Sequence, residues 1–165
     1  MSIALSLTLV LATVLCALVA GLLFSFAVVV MPGLRALGNR EFIGAFQQID
    51  RVIQRGQPLF GLVWLGSAVA LLAGLALGLG QLDGLGKALI GTCAGLYLFG
   101  VQLPTFLVNI PLNNALQQID ADAGDEVTWQ SAREAFEKRW NRWNTFRTWM
   151  AVFVTVMLVV LVSWA

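Results

Sequence analysis

Four stretches of this chain, residues 1–34, 56–82, 88–119 and 148–165, carry no charged side chain. An α-helix needs about 20 mainly apolar residues to cross the hydrocarbon core of a bilayer, and each stretch can supply them. With 59% of the 165 residues hydrophobic and only 12% charged, a water-soluble domain of this size could not cover its apolar surface. The pattern predicts an all-α integral membrane four-helix bundle, a single membrane domain with spans over about 3–30, 59–80, 88–112 and 147–164.

No basic residue precedes the first stretch, and no small-x-small site followed by a polar segment interrupts it, so it is expected to be a retained span and not a cleaved signal. Leu15 stands where a lipoprotein signal before Cys16 would need a small residue. Cys16 is expected ~20 Å along its helix and Cys93 ~9 Å along one starting from the same face, too different in depth for a disulfide. Two such thiols without any histidine make no credible zinc, copper or haem ligand set, so a metal-free account is expected. A net charge of +1 offers no field to attract nucleic acid.

Charge also orients the chain. Arg35, Arg40, Arg51 and Arg55 occupy the first connection, Lys87 stands alone after the second, and Arg133, Lys138, Arg139, Arg142 and Arg147 fill the third. The positive-inside rule places the first and third connections in the cytoplasm, at the cell (inner) membrane, with both termini outside. In the first, Phe42, Phe46, Ile49 and Ile53 recur at helical spacing opposite Arg40, Gln47, Gln48, Arg51, Gln54 and Arg55. This predicts an interfacial amphipathic helix over about 40–55. In the third, Trp129, Ala132, Phe136, Trp140 and Trp143 repeat similarly, which predicts a second over about 126–146, running straight into the fourth span, with Glu134 and Lys138 placed to pair.

Small residues at Gly66, Ala70, Gly74 and Gly78, and at Gly91 and Gly95, are expected to let helix backbones approach. Each half of the chain reads as span, proline, amphipathic helix and returning span, which suggests an internal duplication. Polar residues inside spans need partners, because lipid offers none. Gln102, Thr105, Asn109 and Asn113 share one helical face, and Pro104 and Pro111 are expected to kink the same segment. Arg147 continues the face of Trp140 and Trp143, with Asn144 beside it. Arg147 either snorkels to the headgroups or faces the bundle; the asparagines either hydrogen-bond between helices or meet a ligand. The tryptophans either anchor the interface or stack on ligand rings. No aspartate or glutamate falls within the expected spans, which argues against a small proton-coupled exporter.

The segments Gly21-Leu-Leu-Phe-Ser-Phe-Ala, Met31-Pro-Gly-Leu, Phe46-Gln-Gln-Ile, Pro58-Leu-Phe60, Asn109-Ile-Pro-Leu-Asn113 and Trp140-x-x-Trp143-Asn144-x-x-Arg147 together resemble the anthrone oxygenase-like family of small membrane proteins, many of whose members are described only as a domain of unknown function. The resemblance implies a cofactor-free oxygenase that converts a membrane-soluble aromatic such as an anthrone to a quinone with molecular oxygen. It carries over no catalytic residues, and the chain has no histidine to act as base.

An anthrone enolate reacts directly with oxygen, so the chief demand on a catalyst is stabilisation of an oxyanion. Arg147, Asn144 and Asn113 are the expected donors to it, and Gln102, Asn109, Trp140 and Trp143 the expected substrate contacts. The implied partners are the lipid bilayer and a small apolar aromatic. The competing reading is a non-enzymatic membrane ligand-binding or assembly protein; a transporter would need homo-oligomerisation, which the sequence leaves open.

Overall fold

The computed structural model describes residues 1–164; Ala165, the last residue of the fourth uncharged stretch, lies outside them. The described residues are helical apart from short connections. Helix α1 (Ile3–Ser25) passes through a π-helical turn (Phe26–Val30) into α2 (Met31–Arg35), followed by α3 (Asn39–Gln54) and α4 (Pro58–Gln81). Helix α5 (Gly84–Tyr97) continues through two π turns (Leu98–Gln102 and Thr105–Asn109) into α6 (Ile110–Gln117), and α7 (Glu126–Trp164) completes the chain. The continuous stretches Ile3–Arg35, Pro58–Gln81, Gly84–Gln117 and Glu126–Ser163 are each long and apolar enough to cross a membrane. Leu62, Leu65, Val69, Phe99 and Trp149 are each more than 60% exposed on the outside of the bundle, a surface that only lipid would solvate well. The protein is a multi-pass membrane protein, with α7 uniting the expected amphipathic helix and the fourth span.

The expected kinks take a defined form. Every π turn ends two residues before a proline: Val30 before Pro32, Gln102 before Pro104, Asn109 before Pro111. A proline has no N–H to give and its ring collides with the carbonyl four residues back. Opening the turn relieves this, and the residue just before each proline bonds five residues back: Met31 N–H to Phe26 O, Leu103 to Leu98 O, Ile110 to Thr105 O. The helices therefore continue through their prolines with a bulge.

The core inside the membrane is a seam. Leu5, Leu9, Ala12, Cys16 and Val19, at three- and four-residue spacing, are fully buried in a helix that packs against α4 and α7. Cys16 and Cys93 are free, as expected, and both are buried in this apolar cluster. The ridge on α4 does serve close packing. A Cβ added at Gly74 would lie 3.2 Å from Leu9 and one at Gly66 3.4 Å from Leu15. Gly91 and Gly95 meet nothing within 4 Å, whereas Gly100, in the first π turn of the third span, abuts the stem of Met150 at 2.9 Å. The third span's close crossing is thus at Gly100, one helical stretch beyond the expected pair.

At the charged end, the connections join in one layer. Phe42 and Phe46 of α3 pack edge-on against Phe136 of α7, and Phe46 also meets Trp140. The apolar face that predicted an interfacial helix is therefore turned largely onto protein. Gln47, expected on the polar face, is buried, and its Nε2 donates to the carbonyls of Leu116 and Ile119, both at 2.8 Å, closing the end of α6. The helix pair expected between Glu134 and Lys138 does not form. Glu134 accepts from Gln130, and the i,i+4 ion pair is Arg133 to Glu137 at 2.8 Å.

Arg133 also donates to the carbonyls of Arg35 (3.0 Å) and Leu37 (2.9 Å) and lies 4.4 Å over the ring of Phe42, fastening the turn after α2 to α7. In the loop that precedes α7, the backbone N–H groups of Ala123 and Asp122 hold the Asp120 carboxyl below its ordinary range.

Two stability predictions follow from these contacts. Gly100→Ala is expected to lower stability by about 1–3 kcal/mol through overpacking against Met150, while Gly91→Ala, in open space, leaves it unchanged or raises it by up to about 1 kcal/mol. Thermal unfolding in detergent compares them directly. In the same assay Arg133→Ala is expected to cost about 1–3 kcal/mol, because two carbonyls and Glu137 Oε2 lose a donor, against about 0.5 kcal/mol or less for exposed Lys138→Ala.

Candidate functional site

The prolines and the charged-end layer converge on a cavity of about 390 Å³, walled by α1, α3, α4, α6, α7 and the Thr105–Asn109 π turn. Its size lies within the usual range for small-molecule sites. The lining is mainly apolar and aromatic, from Leu23, Phe26, Phe46, Phe60, Trp64, Phe106 and Trp140. Phe60 and Trp64 stack at 5.6 Å with planes 14° apart, and Trp140 meets Phe26 at 5.6 Å. Leu65 and Phe106, both lining residues, are 62% and 54% exposed. They carry the cavity lining to the apolar outer surface of α4 and the third span.

Set into this wall is a small group of polar side chains. Arg147, on α7 where the span begins, is 4% exposed and faces the bundle instead of snorkelling. Its Nη1 donates to Thr105 Oγ1 at 2.7 Å and its Nη2 to Asn144 Oδ1 at 3.1 Å, while Nε has no partner. Asn144 Nδ2 in turn donates to the Leu23 carbonyl at 3.0 Å, near the end of α1 just before its π turn. Asn109, 2% exposed at the end of the third span's second π turn, has no partner for either its Nδ2 or its Oδ1. Such groups are costly to leave unmet inside a protein, at about 1–3 kcal/mol each.

Asn113 behaves differently. Its Oδ1 accepts from Trp140 Nε1 at 2.8 Å and its Nδ2 donates to Asp50 Oδ1 at 2.7 Å. The helix-bonding alternative thus describes Asn113, whereas Asn109 makes no such bond. Asp50 itself, on α3, is 4% exposed and lines the cavity. Gln54 and Gln117 donate to its Oδ2 at 2.6 and 2.9 Å. Neither Asp50 nor Arg147 forms an ion pair among the described residues. No three His, Cys, Asp or Glu side chains among those residues stand close enough to share a metal ion.

Of the residues singled out from sequence, Arg147, Asn144, Asn113, Asn109 and Trp140 meet at this cavity. Two do not. Gln102 is buried beside the wall and points its Nε2 toward the Trp64 carbonyl at 3.4 Å, since the π turn that it closes offsets it from the face below. Trp143 stands edge-on to Phe146, outside the lining; one residue before Asn144, it falls on the neighbouring face of α7.

Sequence reasoning missed Asp50 and the Phe60–Trp64 pair. Asp50 stands four residues after Phe46 and eight after Phe42, the one acid on an otherwise apolar helical face, and that position was the available signal.

The family model for anthrone oxygenase matches residues 50–157, while no curated protein and no solved structure matches the chain. That match covers well over half of the sequence and takes in Asp50, Thr105, Asn109, Asn113, Asn144 and Arg147 together. This four-span membrane protein, with its half-open aromatic cavity, belongs to the anthrone oxygenase family.

Proposed function

We propose that the protein oxidises a flat, membrane-dissolved aromatic ketone of the anthrone class with molecular oxygen, using no metal or organic cofactor. The observation that carries this reading is the set of buried, unpartnered atoms on two residues that line an apolar cavity: two donors, Arg147 Nε and Asn109 Nδ2, and one acceptor, Asn109 Oδ1. A ring ketone with a hydroxyl beside it carries the matching acceptor and donor for all three once the Asn109 and Arg147 side chains turn into the cavity, while its rings lie among Phe60, Trp64 and Trp140. The lining at Leu65 and Phe106 reaches a surface where such a molecule, and oxygen, would dissolve. The basic residues of the two long connections favour the cytoplasmic side of the cell membrane for the charged end.

Arg147 suits the chemistry because its hydrogen-bond partners are neutral. When the methylene opposite the ketone loses a proton, negative charge gathers on the ketone oxygen. A guanidinium fixed in a low-dielectric wall stabilises that charge more than it does the neutral ketone. Oxygen then bonds to the carbanionic carbon as a hydroperoxide. Loss of the second methylene proton with cleavage of the O–O bond yields the new carbonyl and one water, so one oxygen molecule converts CH2 to C=O plus H2O.

Purified protein in detergent, supplied with anthrone under air, is expected to consume oxygen and form anthraquinone above the spontaneous rate. Arg147→Gln should slow this by about 10²–10³-fold, with helical content and unfolding temperature checked by circular dichroism. Wild-type protein that binds anthraquinone yet takes up no oxygen would sink the oxygenase reading and leave a ligand-binding protein.

A further inference from the structure

We infer that Asp50 is the general base that removes the substrate's methylene proton, an assignment that rests on the oxygenase reading above. Asp50 and Arg147 line the same cavity from different helices and are not joined, so the wall carries a proton acceptor and an anion stabiliser as separate groups. A burial site that needed only a hydrogen-bond acceptor could use a neutral side chain. A carboxylate placed here without a cation is costly to bury and calls for a use.

The orientation of its donors is forced by chemistry. The indole N–H of Trp140 can only donate, so Asn113 presents its oxygen there and its NH2 group to Asp50. Gln117 Nε2 lies between Asp50 Oδ2 and the carbonyl of Gln47 (3.0 Å), two acceptors, and Gln54 Nε2 between Asp50 Oδ2 and Asn114 Oδ1 (3.3 Å). Asn113 and Gln117 are thus fixed as donors to Asp50, Gln54 donates beside them, and none asks it for a proton. Oδ2 takes two of these bonds and Oδ1 one, which leaves Oδ1 a lone pair for the substrate.

In the step assigned to it, the methylene C–H bond breaks and an O–H bond forms on Asp50. The C–H electron pair becomes a ring carbon–carbon double bond, and the carbonyl π pair moves onto oxygen beside Arg147 and Asn109. Negative charge passes from the Asp50 side of the cavity to the Arg147 side, and the total charge in the cavity stays constant, so no ion need enter or leave during the transfer. Gln54, which covers Oδ2, is exposed at the charged end, where the proton can pass to water.

The test separates proton removal from oxygenation. Wild-type protein held without oxygen in D2O with anthrone is expected to exchange the methylene hydrogens for deuterium above the spontaneous rate, read by mass spectrometry. Asp50→Asn should lower that exchange by about 100-fold or more while still binding anthraquinone, as followed by tryptophan fluorescence. Should Asp50→Asn fail to bind the quinone, Asp50→Glu replaces it and is expected to keep slowed exchange above background. Exchange at the wild-type rate in a quinone-binding Asp50→Asn, or background exchange in a quinone-binding Asp50→Glu, overturns the assignment. Wild-type oxygen uptake without anaerobic exchange also overturns it and spares the oxygenase reading. Exchange that depends on Asp50, without oxygen uptake in air, supports the base and removes the oxygenase.

Discussion

Hydrocarbon cannot accept or donate a hydrogen bond, and this constraint governs how every polar group in the bundle is placed. Outside the cavity the rule is met locally. Thr8, Thr13 and Thr155 return their hydroxyls to carbonyls one turn back, and Ser67 donates to the Trp64 carbonyl while receiving the Tyr97 hydroxyl at 2.7 Å. Against that background the unpartnered atoms of Asn109 and Arg147 stand out, because they are buried on residues that line a cavity. Where the protein leaves polar atoms unmet, it also leaves room.

The room comes from the prolines. A straight α-helix through residues 98–117 would place Pro104 and Pro111 against carbonyls of the preceding turn. The two π turns relieve this by widening the helix, and the second carries Thr105 and Asn109 at its two ends. The single π turn before Pro32 does the same for the first span, and the Leu23 carbonyl near it holds Asn144. The bulges are thus coupled to the site through named bonds: one presents Thr105 to Arg147, the other lies beside the anchor of the asparagine that steadies Arg147. The recurrence of span, π turn and proline in both halves echoes the duplication expected from sequence.

What could be read in advance follows from which forces act locally. Charge-free length specifies spans, and helical periodicity specifies faces, so the four membrane-crossing stretches, the fusion of the last amphipathic helix with its span, and the convergence of Asn109, Asn113, Trp140, Asn144 and Arg147 were legible. A π turn shifts register without leaving a mark in the periodicity, which is why Gln102 was grouped with residues that it does not join. Trp143 was included because adjacent residues on a helix flank a boundary that spacing alone draws only to within one residue. Asp50 and Gln47 were passed over for a different reason. The surface of α3 was divided between lipid and water, when its apolar side in fact faces protein, and polar groups on a protein-covered face are the ones that find buried partners.

The two buried charges sharpen the point. Opposite charges in one low-dielectric cavity attract strongly, and a pair in contact would relieve part of the cost of burying each. Here each is held by neutral groups on other elements: Arg147 by Thr105 and Asn144, Asp50 by Asn113, Gln54 and Gln117. These anchors resist collapse into an ion pair, and on the proposed reading the cavity that both residues line is the space a substrate would occupy. A fold selected for stability alone would let the charges meet or replace both with apolar residues. On the proposed oxygenase reading, keeping them apart costs stability in the empty protein and recovers it when a polarisable ketone binds, its acidic carbon toward one charge and its oxygen toward the other. On that argument the separation of Asp50 from Arg147, more than either residue alone, is the feature through which structure becomes function.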